Sequence, residues 1–343
     1  MQQDLDQLLA DAHLRYADLT KAGYQRQRRG GKFVYISPSG QPVRDKKLIE
    51  WINSLIIPPA WEDVWISPQK NSHILAVGRD AKGRKQYRYH PRWQSRRSQN
   101  KFSELAAFGR ALPLIRKTVD KHLKHPGLTK QKVLAIVVYL LESTMIRIGN
   151  TEYMKQNKTF GLTTLKDKHV IVDGSTISFE FVGKSKVQHT VTLQDRRLAR
   201  AVKACRELPG YELFQYVAED KTRHTINSSD VNAYLHEITG EPFTAKVFRT
   251  WGGSVEAIRF FIEQAQNEEL PPREKMVQAC VNTVATLLGN TKAVCRQHYI
   301  HPAVINAALD DTLYGLINDD PADDTPFDLR PEEQLLMRLL EAA

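Results

Sequence analysis

Cysteine is scarce in this 343-residue chain: Cys205, Cys280 and Cys295 are the whole set, and no two form a CxxC pair. An odd number at wide spacing excludes a disulfide framework and a cysteine-based zinc finger. Long apolar runs are missing as well. No stretch reaches about 18 uninterrupted hydrophobic residues, and mean hydropathy is −0.44, so a membrane-spanning helix is not expected. The opening residues, MQQDLDQLLADAH, carry acids where a secretory signal needs a basic region and then an apolar one. GxxxxGK[ST], the loop that cradles nucleotide phosphates, is absent, which argues against an ATP-driven activity. The expectation is a soluble protein retained in the cytoplasm.

Acidic charge is the other relative shortage. Lys and Arg number 49 against 39 Asp and Glu, a net charge of +10 with an isoelectric point near 9.4. The excess is uneven. Residues 307–343 hold ten acids and two arginines, a net of −8, so residues 1–306 carry +18. A body this basic favours a large polyanion as partner. Nucleic acid is preferred over a membrane surface, because no basic amphipathic helix has a continuous apolar face. The plain alternative is a merely soluble basic protein.

What is present is an ordinary globular composition, 41% hydrophobic, long enough for about two domains. The first part, 1–91, reads as a small mixed domain containing strands, and 92–343 as a second, helical domain. A helix is expected over 4–23, where Leu5, Leu8, Leu9 and Leu14 recur at near-helical spacing. A basic turn follows, then a strand at 32–36, a helix at 45–57 closed by Pro58-Pro59, and strands at 63–66 and 73–77. Helical periodicity dominates from about Arg92. Residues 129–148 begin at a Thr N-cap and set Val133, Ile136, Val137, Leu140 and Leu141 on one face, with Arg147 at the helix end. Strand, turn, strand, turn, strand is expected over 169–173, 176–182 and 187–193. Helices are expected at 194–206, 228–238, 250–267 and 273–289. An acidic linker at 318–328 precedes a short C-terminal helix. The fold class is therefore α+β: a small β-rich N-terminal domain, and a mainly helical domain carrying a three-stranded β-island.

Several polar residues sit badly with a purely structural role. Segment 79–101 holds nine Lys/Arg and one acid, with Tyr87, Tyr89 and Trp93 interleaved. Such a mixture suits phosphate contacts by Lys82, Arg84 and Lys85 and contacts to sugars or bases by Gln86, Tyr87 and Tyr89, although a solvated basic loop has the same composition. Arg147 has a bland reading as a C-terminal complement to the helix dipole. Lys184 has one as a solubilising turn residue, and Asn290, after Gly289, as a helix C-cap. Arg249 opens RTWGGS, and Tyr299 stands in CRQHYIHP between His298 and His301. That histidine pair invites a metal, but the carboxylate or cysteine cluster to complete a site is missing.

Taken as a set, these residues resemble the active site of type IB DNA topoisomerases, above all the compact poxvirus and bacterial branch. The resemblance covers most of the chain. KGRKQYRY at 82–89 is similar to the family's N-terminal DNA-clamp element. IRIGN at 146–150, with EYMKQNKTFGLTTLKDKH at 152–169, resembles the first-arginine motif. FVGKSKVQH at 181–189 resembles the hairpin with the catalytic lysine, and KVFRTWG at 246–252 the second-arginine motif. GNTKAVCRQHYIHP at 289–302 is similar to the segment ending in the nucleophilic tyrosine. The chain departs from the pattern at Asn290, where poxvirus, nuclear and recombinase relatives have histidine; an amide can donate a hydrogen bond but cannot carry charge.

The resemblance implies that Tyr299 attacks a DNA phosphodiester to form a 3′-phosphotyrosyl link and release a 5′-hydroxyl. Arg147, Arg249 and Asn290 would stabilise the phosphorane oxygens, and Lys184 would protonate the departing oxygen. It also implies DNA contacts by Tyr153 and Lys246 and no cofactor or metal. The partner would be double-stranded, preferentially supercoiled DNA, gripped by a monomer in a bacterial nucleoid. The rivals are a tyrosine site-specific recombinase, which usually carries histidine where this chain has Lys246, and a non-catalytic basic DNA-binding protein.

Overall fold

The computed structural model describes residues 2–267, 269–317 and 327–342. The chain separates into two compact units, Met1–Phe102 and Ser103–Ala343. Among the described residues no helix is long and apolar enough to cross a membrane.

The first unit contains α1 (Gln2–Asp11), β1 (Tyr24–Arg29), β2 (Lys32–Ile36), α2 (Lys46–Ser54), β3 (Glu62–Ile66), β4 (Ile74–Arg79), β5 (Lys85–Tyr89) and the start of α3 (Pro91–Leu123). The strands form one antiparallel sheet in the order β2-β1-β3-β4-β5. Ile52 of α2 packs with Tyr35, Val64, Ile66 and Ala76 in one cluster, while Ala17, Ile74 and Val77 form another, so apolar side chains on both faces of the sheet are covered. The Asp45 side chain caps α2 by accepting from the Lys47 and Leu48 amides.

Two local expectations fail here. The helix expected over 4–23 stops at Asp11, because His13 turns left-handed (φ 53°) and the Leu14 amide bonds back to the Leu9 carbonyl. This lets Leu14 close on Leu9 and Trp93, and the chain beyond runs extended beside Ser72 and His73. The basic stretch expected as a turn is strand β1, and Gly30-Gly31, both at positive φ, make the turn. The apolar alternation is hidden because the half-buried residue after Tyr24 is Arg26. Its guanidinium bonds the carbonyls of Ile57, Pro58 and Trp61 and stacks on Phe33.

The second unit continues with α4 (Lys130–Thr144), α5 (Thr151–Asn157), β6 (Val170–Asp173), β7 (Thr176–Val182), β8 (Gln188–Gln194), α6 (Arg196–Glu207), β9 (Gln215–Val217), β10 (Arg223–Thr225) and α7 (Ser228–Thr239). It ends with α8 (Val247–Ala265), α9 (Arg273–Leu288), α10 (Lys292–His298), α11 (Pro302–Leu309), α12 (Thr312–Ile317) and α13 (Pro331–Glu341). The expected β-island is the antiparallel sheet β6-β7-β8. Helix α4 is its unit's centre: Val133 to Val138, Leu140 and Leu141 are all buried, as in a helix packed on every side. Phe108 of α3 meets Phe243, Phe248 and Trp251 edge-on.

The helix expected through 148 ends at Thr144, with Met145 left-handed (φ 52°), so Arg147 is not a helix-terminal residue. It lies in an extended segment whose carbonyls at 147 and 148 accept from the amides of Leu162 and Thr163. The C-terminal helix is present. Most of the expected acidic linker, 318–326, lies outside the described residues, as do the side chains of 97–101 in the basic segment. The helix α13 packs onto its unit. Its Glu333 is buried and accepts from Arg116 at 2.7 and 2.9 Å and from the Trp251 indole at 3.1 Å.

Candidate active site

The site in the second unit is assembled at the C-terminal ends of two helices. Both α4 and α9 finish with a left-handed residue, Met145 and Gly289, leaving carbonyls that no helical amide reaches. Arg249, in the first turn of α8, supplies the donors. Its Nη1 bonds the Met145 carbonyl and its Nη2 the Leu288 carbonyl at 2.8 Å. A buried guanidinium is tolerable only where such acceptors meet it, and negative helix ends are where they occur. Arg249 is 5% exposed, and its Nε is left without a partner.

The segments that leave these two helix ends carry Arg147 and Asn290, and the two side chains meet: Arg147 Nη2 donates to Asn290 Oδ1. Arginine can only donate, so the contact fixes which way the amide faces. The Asn290 NH₂ group is then turned away, buried and without an acceptor. Gly161 makes room for this strand-like segment, because a Cβ there would lie 2.5 Å from the Arg147 carbonyl oxygen. Thr163 fastens the next residue, with its amide and hydroxyl both donating to the Ile148 carbonyl.

Tyr299 follows α10, whose N-cap is Thr291. Its backbone is seated on α8. A Cβ on Gly253 would lie 2.7 Å from the Tyr299 carbonyl oxygen, and Ser254 Oγ accepts from the His301 amide at 2.9 Å. The Arg249 guanidinium carbon is 5.2 Å from the centre of the Tyr299 ring. Burial pushes the Tyr299 phenol up, but the charges of Arg249, Arg147 and Lys246 and a hydrogen bond from Arg249 outweigh it and hold it below its ordinary value. Burial and the Arg147 charge push Arg249 itself down to about 10, which leaves it cationic at neutral pH.

Lys184 stands at the tip of the β7–β8 hairpin, exposed, with Ser185 and Lys186 at positive φ after it. It shares a cleft with Arg147, Arg249 and His189. Lys246 stands exposed at the residue before α8, and Tyr153 is half-buried in α5, whose N-cap Asn150 accepts from its amide. His301 spends its Nδ1 accepting from the Ala303 amide at the start of α11.

The remaining expected contacts lie in the first unit, around the β4–β5 hairpin. Asp80 holds that turn. It accepts from the amides of Lys82 and Arg84, from Arg84 Nε at 2.8 Å and from the Gln86 amide at 3.0 Å. Arg84 and Gln86 are thus engaged inside the hairpin. Lys85, Tyr87 and Tyr89 alternate onto one face of the edge strand β5, the tyrosines stacked at 5.7 Å and the Lys85 ammonium over Tyr87.

Sequence reasoning missed the residues that do the seating: Gly161, Thr163, Gly253 and Ser254. The small-residue run after Trp251 is the one local signal for them.

Residues 90–313 match the family model described as the catalytic core of eukaryotic DNA topoisomerase I. That is well over half of the chain. It belongs to the type IB DNA topoisomerases. Residues 32–80 match the N-terminal domain of bacterial DNA topoisomerase IB. The chain is 30% identical over 310 residues to the DNA topoisomerase 1B of Acanthamoeba polyphaga mimivirus, covering 88% of this chain and 92% of that one. It is 28% identical to DNA topoisomerase 1 of rabbit fibroma virus over 69% of this chain and 73% of that one. With the vaccinia virus (strain Copenhagen) DNA topoisomerase 1B it shares 22% identity over 82% of this chain and 86% of the other. In this type IB topoisomerase the two arginines, the asparagine, the hairpin lysine and the tyrosine all belong to the unit that carries the core match.

Proposed function

We propose that this type IB topoisomerase relaxes supercoiled DNA by reversible strand cleavage at Tyr299. The observation that carries the reading is a pair of buried donors with no acceptor, Arg249 Nε and Asn290 Nδ2, in the site of a tyrosine whose phenol is held low. Unsatisfied buried donors are costly, and a phosphodiester's non-bridging oxygens are what such donors fit. The Tyr299 oxygen attacks phosphorus as its proton is lost to solvent. The bond from phosphorus to the 5′-oxygen breaks, and Lys184 gives that oxygen its proton. Arg147, Arg249 and Asn290 hold the oxygens on which negative charge grows. The phosphotyrosyl ester conserves the bond energy, so the freed 5′-hydroxyl reseals the strand without ATP.

Lys85, Tyr87 and Tyr89, with Lys82, serve as the DNA-contacting face of the first unit, and Lys246 and Tyr153 as contacts in the second. The basic body and the exposed lysine and stacked tyrosines of β5 support this. Action as a monomer, a preference for supercoiled DNA and residence in a bacterial nucleoid complete the proposal. The bacterial N-terminal domain match supports the last.

Plasmid relaxation with EDTA present and ATP omitted tests the reading. Positive and negative supercoils should both be removed, and denaturation during turnover should trap protein on the 3′ end of the nick. No relaxation by the purified chain, or attachment to the 5′ end, overturns it.

A further inference from the structure

Strand β8 brings into the site a histidine that the reaction as described does not use. His189 lies opposite Phe181 in the β7–β8 register, and the rings stack at 5.1 Å and 13°. It is half-buried in the cleft it shares with Arg147, Lys184 and Arg249. Two glycines press on the ring. A Cβ on Gly183 would lie 2.5 Å from its Cδ2 and 2.6 Å from its Nε2, and a Cβ on Gly289 would lie 2.7 Å from its Cε1. Gly183 directly precedes Lys184, and Gly289 directly precedes Asn290.

The backbone explains only one of these glycines. Gly289 sits at φ +58°, where a side chain is strained, whereas Gly183 at φ −91° and ψ −168° is in a conformation open to any residue. Gly183 is therefore required for space, and the space is filled by His189. Burial and the charges of Arg147 and Arg249 hold this imidazole below its ordinary pKa, so it shares the cleft with the two cations as a neutral flat ring.

We infer that His189 is a positioning residue: its ring, packed on the backbone before Lys184 and before Asn290, sets the hairpin tip against the α9–α10 turn and so places the general acid. The inference rests on Lys184 being that acid. A spacer of this kind matters most for the step in which the acid must reach the departing oxygen, since a displacement of about 1 Å can cost on the order of 100-fold.

The experiment is single-turnover cleavage of two duplexes, one with the natural bridging 5′-oxygen and one with sulfur there. A thiolate leaves without help from an acid, so loss of the acid, or of its placement, is masked on the sulfur substrate. His189→Ala and Gly183→Ala should each be slower by roughly 10- to 100-fold on the oxygen substrate and within a few-fold of wild type on sulfur. Gly183→Ala combined with His189→Ala should be no slower than His189→Ala alone, because the ring the new methyl would strike is gone. Non-covalent DNA binding by each variant checks that it folds. If Lys184→Ala recovers on sulfur while His189→Ala and Gly183→Ala do not, the positioning role is overturned and the acid assignment stands. Failure of Lys184→Ala to recover overturns the acid assignment, and the positioning role falls with it.

Discussion

The Arg249 guanidinium carbon lies 5.2 Å from the centre of the Tyr299 ring, and the same guanidinium bonds the carbonyl ends of α4 and α9. One side chain thus lowers the pKa of Tyr299 and fastens the two segments that carry Arg147 and Asn290. Charge and architecture are separable here, because lysine supplies the first without the second. Arg249→Lys should lose about 100- to 1,000-fold in cleavage rate and also melt earlier than the parent. Rapid-quench cleavage and thermal unfolding together check both parts.

On the proposed mechanism, Tyr299→Phe removes the nucleophilic oxygen but leaves the phosphate contacts alone. Covalent attachment should vanish, while DNA affinity measured by titration stays within a few-fold of the parent. Covalent complex surviving denaturation in this variant would place the nucleophile elsewhere.

Asn290 separates hydrogen bonding from charge. On the proposed mechanism, Asn290→Ala loses a donor to the phosphate and should slow cleavage by roughly 10- to 100-fold, the scale of one transition-state donor or somewhat less. Asn290→Asp keeps the contact with Arg147 but sets a carboxylate where phosphate oxygens gather, so it should be slower than Asn290→Ala. The order of the two rates in single-turnover cleavage is the measurement; equal rates would remove the amide from the phosphate site.

Burial pushes the His301 imidazole down to about 4, from an ordinary 6.5, and its Nδ1 accepts from the Ala303 amide. The folded protein therefore holds a neutral ring where the unfolded chain binds a proton between those two values. Stability contributed by this residue is full above the ordinary value and falls as pH drops from about 6.5 towards 4. The cation can no longer accept the amide, so α11, just beyond Tyr299, loses its cap. His301→Asn keeps an acceptor and does not titrate. Melting temperatures across this range should fall less steeply in the variant than in the parent.

Glu333 joins the C-terminal helix to Arg116 of α3 and Trp251 of α8, with side chains 3% and 8% exposed at the ion pair. Glu333→Ala leaves the buried Arg116 guanidinium with Glu142, at 2.7 Å, as its remaining carboxylate and takes the acceptor from the Trp251 indole, and buried donors left unmet typically cost about 1–3 kcal/mol. Chemical denaturation should show a loss of that order. A loss under about 1 kcal/mol would mean that the network behaves as a surface pair.

The candidate site was legible in the sequence as a set of residue types that have few other uses together, two arginines, a lysine at a hairpin tip and a tyrosine after a short helix, and the structure brings the arginines and the lysine into one cleft and Arg249 beside the tyrosine. The three-stranded island and the N-cap of α4 were legible for a local reason, since alternation, Gly turns and a capping threonine act within a few residues of one another. What the tertiary structure decided is where backbone ends stop and what they meet. Apolar periodicity carries on through Ile146 and Ile148, yet α4 stops at Thr144, because residues 147 and 148 find partners at Leu162 and Thr163 rather than in the next helical turn. β1 reads as a charged loop until Arg26 is seen to bond three carbonyls about thirty residues away. The direction of the Asn290 amide, the burial of Arg249 and the space that Gly183 leaves for His189 depend likewise on contacts between distant segments. Sequence spacing names the candidate groups; only packing fixes the ångström-scale geometry in which they stand.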